Sequence, residues 1–150
     1  MRTIMDYFVK NEITFPVEFY DVDTMRVVWH GNYVKYMEKG RCALLDSVNY
    51  GYLEMEKDGT AFPVVDIKLK YVRSLRFGDT ARVVSYLTEY ENCIKIRYEI
   101  YNAKTGELCT KAESTQMAMG IESQESSIVC PQRFINNVNQ YLKNHPKAEA

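Results

Sequence analysis

DVDTMRVVWHGNYVKYMEKGR fills residues 21–41, and the hydrophobic period changes inside it. Before His30 no period is clear. After it, Tyr33, Tyr36, Met37, Gly40, Leu44, Leu45 and Val48 recur at the three- and four-residue spacing of one helix face. Lys35, Lys39 and Asp46 fall on the opposite side. The spacing predicts a long helix over 32–48, with Asn32 as its N-cap and Asn49-Tyr50-Gly51 as its stop. Gly40 inside that helix costs about 1 kcal/mol relative to alanine. It is therefore read as a place where another backbone comes close.

The flanking sequence has the period of strands. Upstream, ITFPVEFYDVD alternates Phe15, Val17 and Phe19 with Pro16, Glu18 and Tyr20. Pro16 cannot donate to a ladder, which puts this strand at a sheet edge. Downstream, Val65, Ile67, Leu69 and Tyr71 alternate with Asp66, Lys68 and Lys70. TARVVSYLTEY is a further strand, and NCIKIRYEIYN follows with Ile94, Ile96, Tyr98 and Ile100 in register. AKTGE is a hairpin signal, and LCTKAESTQMAMGI is one last long strand. Pro131 opens a terminal helix with Phe134, Val138 and Tyr141 on one side, before a frayed tail. Strands clustered after one helix predict an α+β fold with a mainly antiparallel five-stranded sheet. One long helix cannot cover both faces of such a sheet, so a second subunit is expected.

The 150 residues suit a single domain, 1–150, with a real core. The formal net charge of -1 gives no overall pull toward nucleic acid or an anionic membrane. No stretch approaches the ~20 apolar residues of a membrane span, and the N-terminus has no apolar run of signal-peptide length. Cys42, Cys93, Cys109 and Cys130 form no CxxC pair and read as reduced, mostly packed thiols of a cytoplasmic protein.

Chemistry concentrates at the junction. Asp23 lies in the turn after the first strand, and His30 lies just before the helix, where backbone N–H groups lack helical partners. Such donors suit an oxygen that becomes anionic, and a carboxylate facing them makes a minimal acyl-transfer site. The same residue types also have an ordinary use. An aspartate in a turn caps N–H groups, and a histidine near a helix start is often a structural hydrogen-bonder. Glu38 and Arg41, three apart, read as a surface pair.

FYDVDTMRVVWHGNYVKYMEKGR resembles the signature of the 4-hydroxybenzoyl-CoA thioesterase-like branch of the hotdog-fold superfamily, which includes the Tol-Pal-associated short-chain thioesterases. The matching residues are Asp21-Val22-Asp23, Val27-Val28-Trp29-His30, Asn32-Tyr33, Glu38 and Arg41, and the likeness covers roughly residues 11 to 121. It implies a hotdog fold: a curved antiparallel sheet wrapped around one long helix, plus a C-terminal helix. It implies hydrolysis of an acyl-CoA to the free acid and CoA without metal or redox cofactor, in a homodimer or homotetramer. Asp23 becomes the expected general base or nucleophile. The His30 N–H becomes the expected oxyanion donor, with its ring orienting water or the leaving group. Trp29, Asn32, Tyr33, Glu38 and Phe62 become the expected substrate contacts, Glu38 from across a dimer interface.

Two departures stand out. Thr24-Met25-Arg26 replaces the small residues that usually follow the Asp pair, either narrowing the acyl pocket or offering Arg26 to a CoA phosphate. TEYENCIK lacks the paired arginines that some relatives present to the nucleotide. A hotdog hydratase or dehydratase, and a non-catalytic acyl-CoA binding module, are the alternative readings.

Overall fold

The computed structural model describes residues 6–146. In chain order it contains β1 (Val9–Pro16), α1 (Asn32–Ser47), α2 (Tyr52–Lys57), β2 (Thr60–Ala61), β3 (Val64–Tyr71), β4 (Thr80–Glu89), β5 (Ile94–Asn102), β6 (Leu108–Gln116), β7 (Ala118–Gly120), β8 (Ser126–Ser127) and α3 (Gln132–Asn144). The main sheet is antiparallel in the order β1-β4-β5-β6-β3, and β2-β7-β8 form a small second sheet. α1 packs across β1, β4 and β5. The core lies between them. Val83, Leu87, Ile94, Ile96, Tyr98 and Ile100 point inward from the sheet to meet Tyr36, Met37, Leu44 and Leu45.

The alternation in β5 and the edge position of Pro16 are as expected. The first strand is not. It starts at Val9 and stops at Pro16, and Phe19–Asp21 wind into a single 3-10 turn. Glu18 N–H donates to the Asp21 carboxylate at 2.9 Å, and Asp21 N–H donates to the Glu18 carbonyl at 2.9 Å. These local bonds compete with extension, and Phe19 is left as exposed as Tyr20 instead of following Val17 into the core. In β3 a bulge between Val64 and Asp66 sets Val65 out of the pairing, which breaks the expected alternation. The expected last strand is interrupted at Met117, and β7 leaves the main sheet to pair with β2. α3 starts after Pro131 and buries Phe134 and Val138. Of the expected tail, residues 147–150 lie outside the described residues.

Gly40 is a close approach, but to side chains. A Cβ there would lie 2.6 Å from Ser85 Oγ and 2.8 Å from Val83 Cγ1, both on β4. Ser85 is short and Val83 is β-branched, so neither swings away cheaply. Overpacking of about 1–3 kcal/mol outweighs the ~1 kcal/mol that alanine returns in helix propensity. Gly40→Ala is expected to lower the urea midpoint, with a net loss of about 1 kcal/mol; an unchanged or raised midpoint would show that α1 and β4 are not in such close contact.

Candidate active site

The junction between β1 and α1 is a small hairpin. Val22 bridges Val28, Asp23 N–H donates to the Val27 carbonyl at 2.9 Å, and Trp29 N–H donates to the Asp21 carbonyl at 3.0 Å. Arg26 closes the tip with φ 65°, a left-handed conformation uncommon for an arginine. Asp23 therefore sits at the tip. His30 sits beyond the opposite end, next to the start of α1.

The two acids of the Asp-Val-Asp triplet have different environments. Asp21 is buried. Its carboxylate accepts the Tyr36 hydroxyl at 2.9 Å as well as the Glu18 N–H. Burial first, then the Asp21 hydrogen bond, push the Tyr36 phenol far above its ordinary value, so Tyr36 stays a donor. Asp21 is thus occupied in tying the hairpin to α1. Asp23 is half-buried, and one of its oxygens, Oδ1, accepts Met25 N–H at 2.8 Å. This is the turn-capping use of an aspartate. Oδ2 is assigned no partner among the described residues.

Gly31, not Asn32, is the residue preceding the helix, and it has right-handed helical backbone angles. Asn32 is the first helical residue, and its amide donates to the Asp21 carbonyl at 2.8 Å instead of capping. The Trp29 indole lies directly over Gly31, where it would collide with any Cβ. Tyr71 donates to the His30 carbonyl at 2.9 Å and holds the junction against β3. The His30 ring is exposed, beside Trp29 with centroids 4.9 Å apart. Among the described residues, no acceptor is assigned to the N–H groups of His30 and Gly31. They are two adjacent donors at the start of a sixteen-residue helix.

The expected contact residues divide into two groups. Asn32 and Tyr33 are buried supports: Asn32 holds Asp21, and the Tyr33 hydroxyl accepts Leu75 N–H at 3.1 Å. Trp29 is half-exposed beside His30. Glu38 pairs with Arg41 at 2.9 Å as the spacing implies, but it is not a plain surface pair: the Arg41 side chain is only 14% exposed, and both residues line a groove of about 650 Å³ with Phe62. The groove runs from α1 past α2 to β7, and Leu45, Met55, Gln116 and Met119 also belong to it. Sequence reading missed these four. They come from separate segments, and each has an ordinary core or strand reading by itself.

No group of three or more potential metal-ligating side chains occurs among the described residues, and none of the described helices is long and apolar enough to cross a membrane. The four cysteines are free, with Cys109 and Cys130 buried, Cys93 half-buried and Cys42 exposed.

Known proteins resemble this chain in sequence and in fold. The chain is 39% identical over 108 residues to the "Putative acyl-CoA thioesterase YneP" of Bacillus subtilis (strain 168), covering 71% of this chain and 78% of that protein. Among solved structures, Slr0204, a 1,4-dihydroxy-2-naphthoyl-CoA thioesterase from Synechocystis, superimposes with a TM-score of 0.80 at 18% identity, covering 91% of this chain and 99% of that one. A 4-hydroxybenzoyl-CoA thioesterase variant complexed with 4-hydroxybenzoyl-CoA gives 0.76 at 14% identity, over 86% and 98% of the two chains. At these identities the structural likeness establishes the hotdog fold. The model of the thioesterase-like superfamily matches residues 17–138, from the end of β1 into α3, and the chain belongs to that superfamily.

Proposed function

We propose that this protein hydrolyses an acyl-CoA thioester to the free acid and CoA at the β1–α1 junction. The observation that carries the reading is the pair of unpartnered N–H groups at His30 and Gly31, which lie on the same β1–α1 junction as the free oxygen of Asp23. The acyl-CoA thioesterase name of the Bacillus relative supports the substrate class. In this reading the N–H groups polarise the thioester carbonyl and take up the charge that develops on its oxygen. Asp23 attacks the carbonyl carbon or activates a water. The His30 ring orients water or the leaving thiolate, and Trp29 flanks the entry. Glu38 and Phe62 contact the acyl group in the groove.

The test is thiol release from a panel of acyl-CoAs, with hydration of the matching 2-enoyl-CoAs measured in parallel. Release of free CoA is the expected result. Hydration without release would replace this reading by the hydratase one, and binding without either would leave a binding module.

The same reading includes assembly. β3 is an edge strand whose inner side shows Ile67 and Tyr71, with Val72 just beyond, all exposed. Its other side carries Lys68 and Lys70. An eight-residue edge strand with one apolar side is a template for pairing with a second copy across a two-fold axis. Light scattering at micromolar concentration is expected to give a dimer or tetramer, and Ile67→Lys to shift it toward monomer with loss of thiol release. A monomeric, active parent protein would remove the shared-site model.

A further inference from the structure

The two unpartnered donors at the junction belong to successive peptide units, and the carbonyl at the other end of each unit is engaged differently. The His30 N–H shares its peptide with the Trp29 carbonyl, which accepts Asn32 N–H at 2.8 Å. That bond is local and needs no particular side chain. The Gly31 N–H shares its peptide with the His30 carbonyl, which accepts the Tyr71 hydroxyl at 2.9 Å. Tyr71 comes from 41 residues away, at the end of β3. The reaction proposed above gives it no part.

The sheet holds Tyr71 in place. Its backbone pairs with Thr110 of β6, and the next residue, Val72, donates its N–H to the Cys109 carbonyl at 2.8 Å. Its ring meets Tyr33 edge-on with centroids 5.5 Å apart, and the His30 ring edge-on at 6.5 Å. Tyr33 is itself buried and anchored by Leu75 N–H. An amide whose carbonyl accepts a hydrogen bond is polarised, and its N–H becomes a stronger donor. Because the peptide is planar, the same bond also fixes the direction in which the Gly31 N–H points. Both effects favour charge developing on an oxygen in the transition state over the neutral carbonyl of a bound thioester. Gly31 brings no side chain of its own, and the Trp29 indole takes the space where a Cβ would lie.

We propose that Tyr71 is a positioning residue: through the His30 carbonyl it orients and polarises the Gly31 N–H that takes up charge on the thioester oxygen. The proposal rests on the thioesterase reading. Tyr71→Phe deletes the hydroxyl and keeps the ring against Tyr33. On the acyl-CoA that the wild type hydrolyses fastest, kcat is expected to fall about 5–10-fold with KM largely unchanged. A second readout separates this role from a merely structural one. A ketone analogue of that acyl-CoA, with CH2 in place of the sulfur and carbon-13 at the carbonyl, is bound to each protein. Its infrared carbonyl stretch is expected at lower frequency in the wild type than in Tyr71→Phe. An unchanged kcat would overturn the proposal, as would a loss carried entirely by KM or an equal carbonyl stretch in the two proteins. Tyr71 lies on the edge strand of the proposed pairing, so circular dichroism and light scattering check fold and assembly. If Tyr71→Phe unfolds or dissociates, 3-fluorotyrosine at position 71, a stronger donor of nearly the same size, decides: a further lowered stretch supports the role, and an unchanged one overturns it. A wild type that releases no thiol from any acyl-CoA removes the thioesterase reading and this role with it. An active wild type with an equally active Tyr71→Phe removes the role alone.

Discussion

Asp23→Asn is expected to lower the turnover number for thioester hydrolysis by at least about 10²-fold while leaving the fold unchanged. The asparagine keeps an oxygen for the Met25 N–H, so the turn that Asp23 Oδ1 closes survives. What is lost is the charged oxygen that attacks or takes a proton. Asp21→Asn is the control, and the structure separates the two. The Asp21 carboxylate lies buried between the Tyr36 hydroxyl and the Glu18 N–H. Both donors reach the same oxygen, Oδ2, so an asparagine that sets its own oxygen there keeps both bonds and loses only their charge assistance, about 1 kcal/mol of stability. The expected signature is a lowered unfolding midpoint with turnover largely kept. If Asp21→Asn were the one to abolish turnover in a folded protein, the roles of the two acids would be reversed.

His30→Pro is expected to reduce the rate by about 10²–10³-fold, the loss typical for one oxyanion donor. Proline deletes the N–H and leaves the His30 carbonyl that Tyr71 holds. His30→Ala removes only the ring, so a measurable fraction of the rate should remain. Circular dichroism must show α1 intact in both variants, since proline also restricts the preceding Trp29. Equal rates for His30→Pro and His30→Ala in folded protein would mean that this N–H does not contribute, leaving Gly31 as the donor.

Where the hydrophobic period was long and one-sided, the sequence was enough. Over 32–48 it marks α1 almost to its ends, because one apolar face must bury against the sheet whatever lies beyond it. β5 is equally plain, since Ile94, Ile96, Tyr98 and Ile100 can reach the core only in alternation. The FYDVDTMRVVWHGNYVKYMEKGR pattern drew attention to Asp23 and His30, and the superfamily match agrees with the fold it implied. Periodicity failed at Phe19–Tyr20, where side-chain bonds between Glu18 and Asp21 override the alternation, and at Val65, where a bulge adds a residue to one strand.

By itself, then, the sequence determined the elements with their own repeating pattern, the edge position of Pro16 and the residues worth suspecting. Tertiary structure alone decided how those residues are employed. It buried Asp21 against Tyr36 and left an oxygen of Asp23 free, although the two acids stand two positions apart in the same triplet. It turned Asn32 and Tyr33 into supports, set Gly40 against β4, and brought Leu45, Met55, Phe62, Gln116 and Met119 to one groove. The physical reason is that a local pattern fixes which face of an element seeks burial. Hydrogen-bond partners and cavities depend on which distant segments meet that face, and no spacing within one segment encodes them.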